Sequence, residues 1–234
     1  MSGKLYLIPV TLGDSRAEKV IPSPVIGKML ALRRFIVENE RSARRFLIKA
    51  GMKTPIDHIG FYILDGNTPP EEISKMLLPA GKDEDIGLLT EAGAPGVADP
   101  GADVVMMAHE KGIRVVPLVG PSSILMALMG SGLNGQNFTF NGYLPVYRKE
   151  RIKRIRFLES RSINEKQSQI FMETPYRNQK LLDDLISQCR PDTRLCIAAD
   201  LTLESEFLQT KKIREWRSGK PDLHKRPAIF IIQG

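Results

Sequence analysis

Three short stretches of the chain combine residue types that could hold a small charged ligand. Pro9-Val10-Thr11-Leu12-Gly13-Asp14 follows an apolar run, Thr90–Gly101 follows another, and Gly120-Pro121-Ser122-Ser123 opens a third apolar stretch. Small residues in such loops let a ligand approach the backbone, and free amides at the start of a helix can hold a carboxylate or phosphate. Turn formation alone would account for the first and third. The second is different: Gly93, Gly96, Gly101, three alanines, Pro95, Pro100 and the acid Asp99 are more than a tight turn needs.

Other chemistries find little support. No GxGxxG follows the first apolar run, which disfavours a dinucleotide fold, and GxxxxGK[ST] and GxSxG are absent. Cys189, Cys196, His58, His109 and His224 are scattered without metal-ligand spacing, so no metal site is expected. The net charge of +7 is uneven: residues 1–118 carry 15 basic and 15 acidic side chains, residues 119–234 carry 19 and 12. Much of the excess lies in Arg148, Lys149, Arg151, Lys153, Arg154, Arg156 and Arg161. That cluster reads either as a solvated helix face or as a patch that tracks phosphates.

The elements that must position these loops follow from the apolar pattern. Leu5–Val10, Arg34–Glu38, His58–Leu64, Ile86–Thr90 and Ile113–Val119 read as strands, alternating with helices over Ser42–Ala50, Pro70–Leu78 and Gly101–Lys111. Short continuous apolar strands separated by helices indicate parallel βαβ units covered on both faces. In the second half, Ser122–Met129, Lys149–Glu159 and Pro175–Cys189 read as helices. Phe138–Tyr143, Ser168–Met172, Arg194–Ala199, Glu206–Thr210 and Ala228–Gln233 read as strands. Strands without intervening helices imply a mixed sheet. The expectation is an α/β fold of two domains, 1–118 and 119–234, with a mostly parallel first sheet and a mixed second one. In a parallel sheet, loops at the carboxyl ends of strands line the ligand crevice. No apolar run approaches the ~20 residues that span a bilayer, and Met1-Ser2-Gly3-Lys4 leads straight into a strand-like segment. A soluble, cytoplasmic protein is expected.

Several motifs in order carry a resemblance. Thr90–Gly101 fits S-[DE]-A-G-x-P-x-x-x-D-P-G apart from threonine in the opening position. Val116–Ser122 fits V-P-L-x-G-P-[SC], Gly142–Pro145 fits G-[FY]-L-P, and Met172–Arg177 is close to Y-E-[ST]-x-x-R. On these the chain resembles the tetrapyrrole methylase superfamily and, within it, the branch of ribosomal small-subunit methyltransferase I. The resemblance runs from the first strand to the terminal Ile231-Ile232-Gln233-Gly234. It implies a homodimer of two-domain subunits with S-adenosylmethionine held in a cleft between the domains. The reaction it implies is methyl transfer to a cytidine ribose 2′-hydroxyl of small-subunit ribosomal RNA.

Carried over by position, Leu12, Gly13, Glu91, Gly93, Ala94, Val97, Ser122, Ser123, Met172, Pro227 and Ala228 are the expected cofactor contacts. A hydroxyl acceptor needs a group to take its proton. Glu38 is the first candidate and Asp99 the second, with Arg41 as a positioning or phosphate-binding group. Arg148, Lys149, Arg151 and Arg154 are the expected RNA contacts. Besides Pro9-Val10-Thr11-Leu12-Gly13-Asp14 in place of P-[TI]-P-[IL]-G-N at the first strand, the chain departs from the branch in three places. A-E-D-T-R reads Val37-Glu38-Asn39-Glu40-Arg41, A-R-E-[LI]-T-K reads Ala198-Ala199-Asp200-Leu201-Thr202-Leu203, and K-G-E reads Lys225-Arg226-Pro227. Two other readings stay open: a small-molecule methyltransferase acting on a tetrapyrrole-type acceptor, and a non-catalytic relative that binds cofactor or RNA.

Overall fold

The structure, a computed structural model, describes residues 3–234. The chain divides into two compact units, Met1–Ser122 and Ser123–Gly234.

The first unit is built on five parallel strands: β1 (Lys4–Ile8), β2 (Arg34–Val37), β3 (Gly60–Ile63), β4 (Ile86–Leu89) and β5 (Arg114–Pro117). Their order in the sheet is β3-β2-β4-β1-β5. The helices are α1 (Ser23–Ala31), α2 (Glu40–Lys49), α3 (Pro70–Met76) and α4 (Gly101–Glu110). Every residue of β4 is buried, as a parallel strand covered on both faces requires. Gly87 lets the strand lie under its neighbours, because a Cβ there would come within 2.7 Å of Ile8 Cδ1 and 2.8 Å of Phe35 Cδ1.

Two cores flank this sheet. One joins Val25 and Met29 of α1 and Ala43 and Leu47 of α2 to Ile8, Phe35, Val37 and Leu89. The other joins Ile73 and Met76 of α3 and Val104 and Ala108 of α4 to Leu5, Ile36, Ile86 and Leu88. The chain leaving β1 and β2 therefore turns to one face, and the chain leaving β3 and β4 turns to the other. Neighbouring β1 and β4 diverge at their carboxyl ends, and a crevice opens between their loops.

The second unit holds α5 (Ser123–Ser131), β6 (Phe138–Tyr143), α6 (Arg148–Glu165), β7 (Ser168–Met172), α7 (Asn178–Gln188), β8 (Arg194–Ala199), β9 (Phe207–Lys212), α8 (Ile213–Trp216) and β10 (Ala228–Gln233). The sheet order is β6-β7-β10-β8-β9; only β6 and β7 are parallel. Ile155 and Leu158 of α6, Leu181, Leu182 and Leu185 of α7, and Trp216 pack against Phe171, Ile197 and Phe230.

The expected elements are present: β6, β7, β8 and β10 have the expected bounds, and other ends shift by up to six residues. Helices α1 and α8 were not anticipated. Pro24 in the first turn and Val25 and Met29 one turn apart were the available signals for α1. Among the described residues, no helix is long and apolar enough to cross a membrane.

Candidate active site

A cavity of about 170 Å³ lies in the crevice of the first unit. Its wall runs from Val10 to Ser15 after β1, takes in Leu89, Thr90 and Glu91 at the end of β4, and is closed by Ser42, Ala43, Arg45, Phe46 and Lys49 of α2. Of the expected cofactor contacts, Leu12, Gly13 and Glu91 lie in this wall. Gly93 is buried just behind it and joins the loops: Val10 N donates to the Gly93 carbonyl at 2.9 Å. Gly93 sits at φ +77°, where a side chain is strained, and a Cβ would meet Leu12 Cδ2 at 3.2 Å. Ala94 is half-buried and Val97 is exposed farther along the loop.

Glu38 directly follows β2, beside the cavity. Its Oε1 accepts from Thr90 Oγ1 at 3.0 Å and from Glu91 N at 3.2 Å. The threonine that opens the loop thus supplies the hydroxyl that serine would. Ser42 Oγ lies 2.5 Å from Glu91 Oε1, so the two carboxylates are held by α2 and the β4 loop together.

Asn39, the first departure, is the N-cap of α2, and its Oδ1 accepts from Arg41 N at 2.9 Å and Ser42 N at 3.2 Å. Asparagine and aspartate cap helices about equally well, so the exchange leaves α2 in place. Arg41 is exposed one residue into the helix after Glu40.

Asp99 is placed otherwise than a proton acceptor requires. Gly96 N donates to both of its oxygens at 2.9 and 3.0 Å, and Gly101 N donates to Oδ1 at 2.7 Å. The carboxylate is consumed in closing its own loop onto the start of α4, and Gly101 leaves room for it, since a Cβ there would stand 2.8 Å from Asp99 Oδ1.

In the second unit, Met172, Pro227 and Ala228 gather at one end of the sheet. Met172 pairs with Ile229 across β7 and β10, and the Pro227 carbonyl accepts from Asp200 N at 3.0 Å. Ser122 ends the first unit and Ser123 opens α5. Two departures meet here: Arg226 Nε donates to Asp200 Oδ2 at 2.7 Å. Ala199, a third departure, is fully buried in the core.

The basic helix is divided in its use. Arg151 is buried and bonds Asp184 Oδ2 through Nε at 2.9 Å and Nη2 at 2.7 Å, with Nη1 reaching the Val146 carbonyl at 2.7 Å. It holds α6 to α7 and is not offered to a ligand, contrary to the expectation from charge alone. Arg148 is exposed but shares Asp184, and half-buried Arg154 bonds Asn141 Oδ1 at 3.0 Å. Lys149, Lys153 and Arg156 are exposed. The sequence reading overlooked Thr11, Ser42, Arg45 and Lys49. The spacing of Arg41, Arg45 and Lys49 was the signal that could have found the last two.

Known proteins bear on this site. The chain is 34% identical over 245 residues to the ribosomal RNA small subunit methyltransferase I of Xylella fastidiosa, covering 99% of this chain and 82% of that one. It belongs to that family. Another member of the family, from Haemophilus influenzae, is 26% identical over 237 residues, 100% of this chain and 80% of the relative. Among solved structures, the methyltransferase CobJ shares the fold, with a TM-score of 0.65 at 15% identity over 100% of this chain and 95% of that one. No family model matches the chain.

As a member of the ribosomal RNA small subunit methyltransferase I family, the protein is an S-adenosylmethionine-dependent methyltransferase. The cavity suits such a donor. The Glu91 carboxylate complements a sulfonium or an amino group, and Leu12, Leu89 and Phe46 offer apolar surface. The Ser15 hydroxyl in the wall is buried without a hydrogen-bond partner among the described residues, as a surface awaiting a polar ligand would be.

Proposed function

We propose that the protein methylates the ribose 2′-hydroxyl of a cytidine in small-subunit ribosomal RNA, acting as a cytoplasmic homodimer. The observation that carries this reading is Glu38, fixed beside the cavity by Thr90 and the Glu91 amide. A hydroxyl acceptor must lose its proton as the new bond to carbon forms, and a positioned carboxylate is suited to take it. Both bonds go to Oε1, which leaves Oε2 as the oxygen that receives the proton. S-adenosylmethionine supplies the electrophilic methyl group, so the protein's work is alignment of the acceptor.

Arg41 stands three residues from Glu38 and is placed to hold a phosphate flanking the acceptor nucleotide. Leu12, Gly13, Glu91, Gly93, Ala94, Val97, Ser122, Ser123, Met172, Pro227 and Ala228 are the proposed donor contacts. Arg148, Lys149 and Arg154, joined by Lys153 and Arg156, form the proposed RNA patch on α6. The relatives are named for ribosomal RNA of the small subunit, which supports an RNA acceptor.

The test is tritium transfer from labelled S-adenosylmethionine to small ribosomal subunits that lack this methylation, followed by nuclease digestion and nucleoside analysis. Label in 2′-O-methylcytidine is the expected result. Donor binding without transfer to the subunits would overturn the reading, and transfer to a porphyrinoid instead would move the acceptor to a small molecule.

A further inference from the structure

Helix α2 presents a second basic surface, in the first unit. Arg41, Arg45 and Lys49 recur every four residues and are all exposed. Successive steps of four drift slowly around a helix, so the three lie within an arc of roughly 80° along about 12 Å of axis. Arg45 and Lys49 line the cavity, and Arg41 leads toward Glu38 at its head.

The other cation of this helix is committed elsewhere. Arg44 is bonded to Glu40 at 2.6 Å and to Asp57 at 3.3 Å. Among the described residues, Arg41 and Arg45 make no side-chain hydrogen bond or ion pair. Lys49 pairs with Asp14, whose side chain is 97% exposed, and an exposed pair of this kind is readily exchanged for another anion. The cavity below the stripe carries the hydroxyls of Thr11, Ser15, Ser42 and Thr90. A row of cations above a pocket that offers hydroxyls beside the Glu91 carboxylate matches a ligand with anions along its length and sugar hydroxyls at one point.

We infer that the Arg41–Arg45–Lys49 stripe is a rail for consecutive phosphates of a single-stranded RNA, delivering the acceptor ribose to the cavity beside Glu38. This rests on the RNA reading proposed above and adds to it a binding surface on the first unit. The two phosphate rows of a double-stranded groove would call for a wider spread of charge, whereas one narrow row tracks one strand.

The experiment measures filter binding of a single-stranded RNA oligonucleotide and of small ribosomal subunits as a function of salt. It compares the parent protein, the double variant Arg45→Gln with Lys49→Gln, and a control with equal charge loss, Arg44→Gln with Lys53→Gln. Calorimetric affinity for S-adenosylmethionine is measured on each. The expected result is at least a tenfold loss of RNA affinity for Arg45→Gln with Lys49→Gln, and a salt slope flatter by about 0.7 for each phosphate contact removed. The control should stay within about twofold, and donor affinity should fall far less than RNA affinity. Equal losses in both double variants would overturn the rail, because only total charge would matter. An equal loss of donor affinity would overturn it too, assigning the stripe to the donor pocket. A parent protein that binds donor but no RNA would overturn the proposed function itself, and the rail with it.

Discussion

Thr90 Oγ1 donates to Glu38 Oε1 at 3.0 Å and thereby ties the carboxyl end of β4 to that of β2. The bond sets the direction of a carboxylate beside the cavity that is not consumed in its own loop. Glu38→Gln should lower the rate of methyl transfer by about 10²–10⁴ while donor affinity stays within twofold. Thr90→Val keeps the carboxylate but releases it, and about a tenfold loss is expected. Single-turnover transfer and calorimetry distinguish the two. A Glu38→Gln variant with the parent's rate would remove Glu38 from the reaction.

Gly93 combines a left-handed backbone with close approach to Leu12. Gly93→Val should reduce donor affinity at least tenfold and lower stability by about 1–2 kcal/mol through the backbone conformation alone. Circular dichroism should remain that of the parent at 25 °C. Unchanged donor affinity in a folded variant would place the donor elsewhere.

Asp99 separates a structural from a chemical carboxylate. Asp99→Ala leaves the amides of Gly96 and Gly101 without an acceptor and should cost roughly 1–3 kcal/mol in denaturant unfolding. Asp99→Asn keeps an acceptor oxygen, so stability and transfer should both stay near the parent's. A hundredfold loss of transfer in Asp99→Asn would restore Asp99 as a proton acceptor.

Arg151 and its neighbours on α6 should part company. Arg151→Ala leaves Asp184, whose side chain is 5% exposed, with Arg148 as its remaining cation, and should destabilise the protein by roughly 1–3 kcal/mol. Lys153→Glu with Arg156→Glu should leave stability within about 0.5 kcal/mol and weaken RNA binding in a salt-dependent manner. Thermal unfolding and filter binding read the contrast, and the reverse pattern would exchange their roles.

Lys28 and Asp85 give the stability a pH dependence. Burial alone pushes the Asp85 carboxyl up, but bonds from Lys28 and the Lys4 amide outweigh it and hold it below the usual carboxylate range. Burial likewise pushes Lys28 down, and its bonds to Asp85 and Tyr6 outweigh this and raise it. A lowered acid contributes stability that is present above its unfolded value, about 3.9, and is lost as pH falls through the folded one. A raised base contributes stability below its unfolded value, about 10.4, and loses it as pH rises through the folded one. Asp85→Asn should therefore lower the melting temperature at pH 7 and flatten its fall below pH 4. Parallel melting curves for the two proteins across pH 2–7 would show that the pair contributes nothing.

Much of the frame was legible because parallel strands such as Ile86–Leu89 are buried on both faces and so appear as unbroken apolar runs. Helix α1 was not, since its Gly27 and Lys28 interrupt an otherwise weak apolar face. Within the site, Glu91 and Gly93 could be read from the loop they share. The different fates of Glu38 and Asp99 could not, because each depends on which backbone amides lie nearby after folding. Charge misled at Arg151 for a similar reason: composition counts a cation but does not show the buried Asp184 that claims it.

The divergence of the chain after β1 and β4 has a consequence for how such enzymes change. The opening is made by the route of the backbone, before any particular side chain is chosen to fill it. A new guest therefore calls for replacements in a few exposed loops and on one turn-facing side of α2, with both cores left alone. Exchange of the acceptor is thus an economical step for this scaffold, and Asn39, Asp200 and Arg226 are examples of edits that the framework has absorbed.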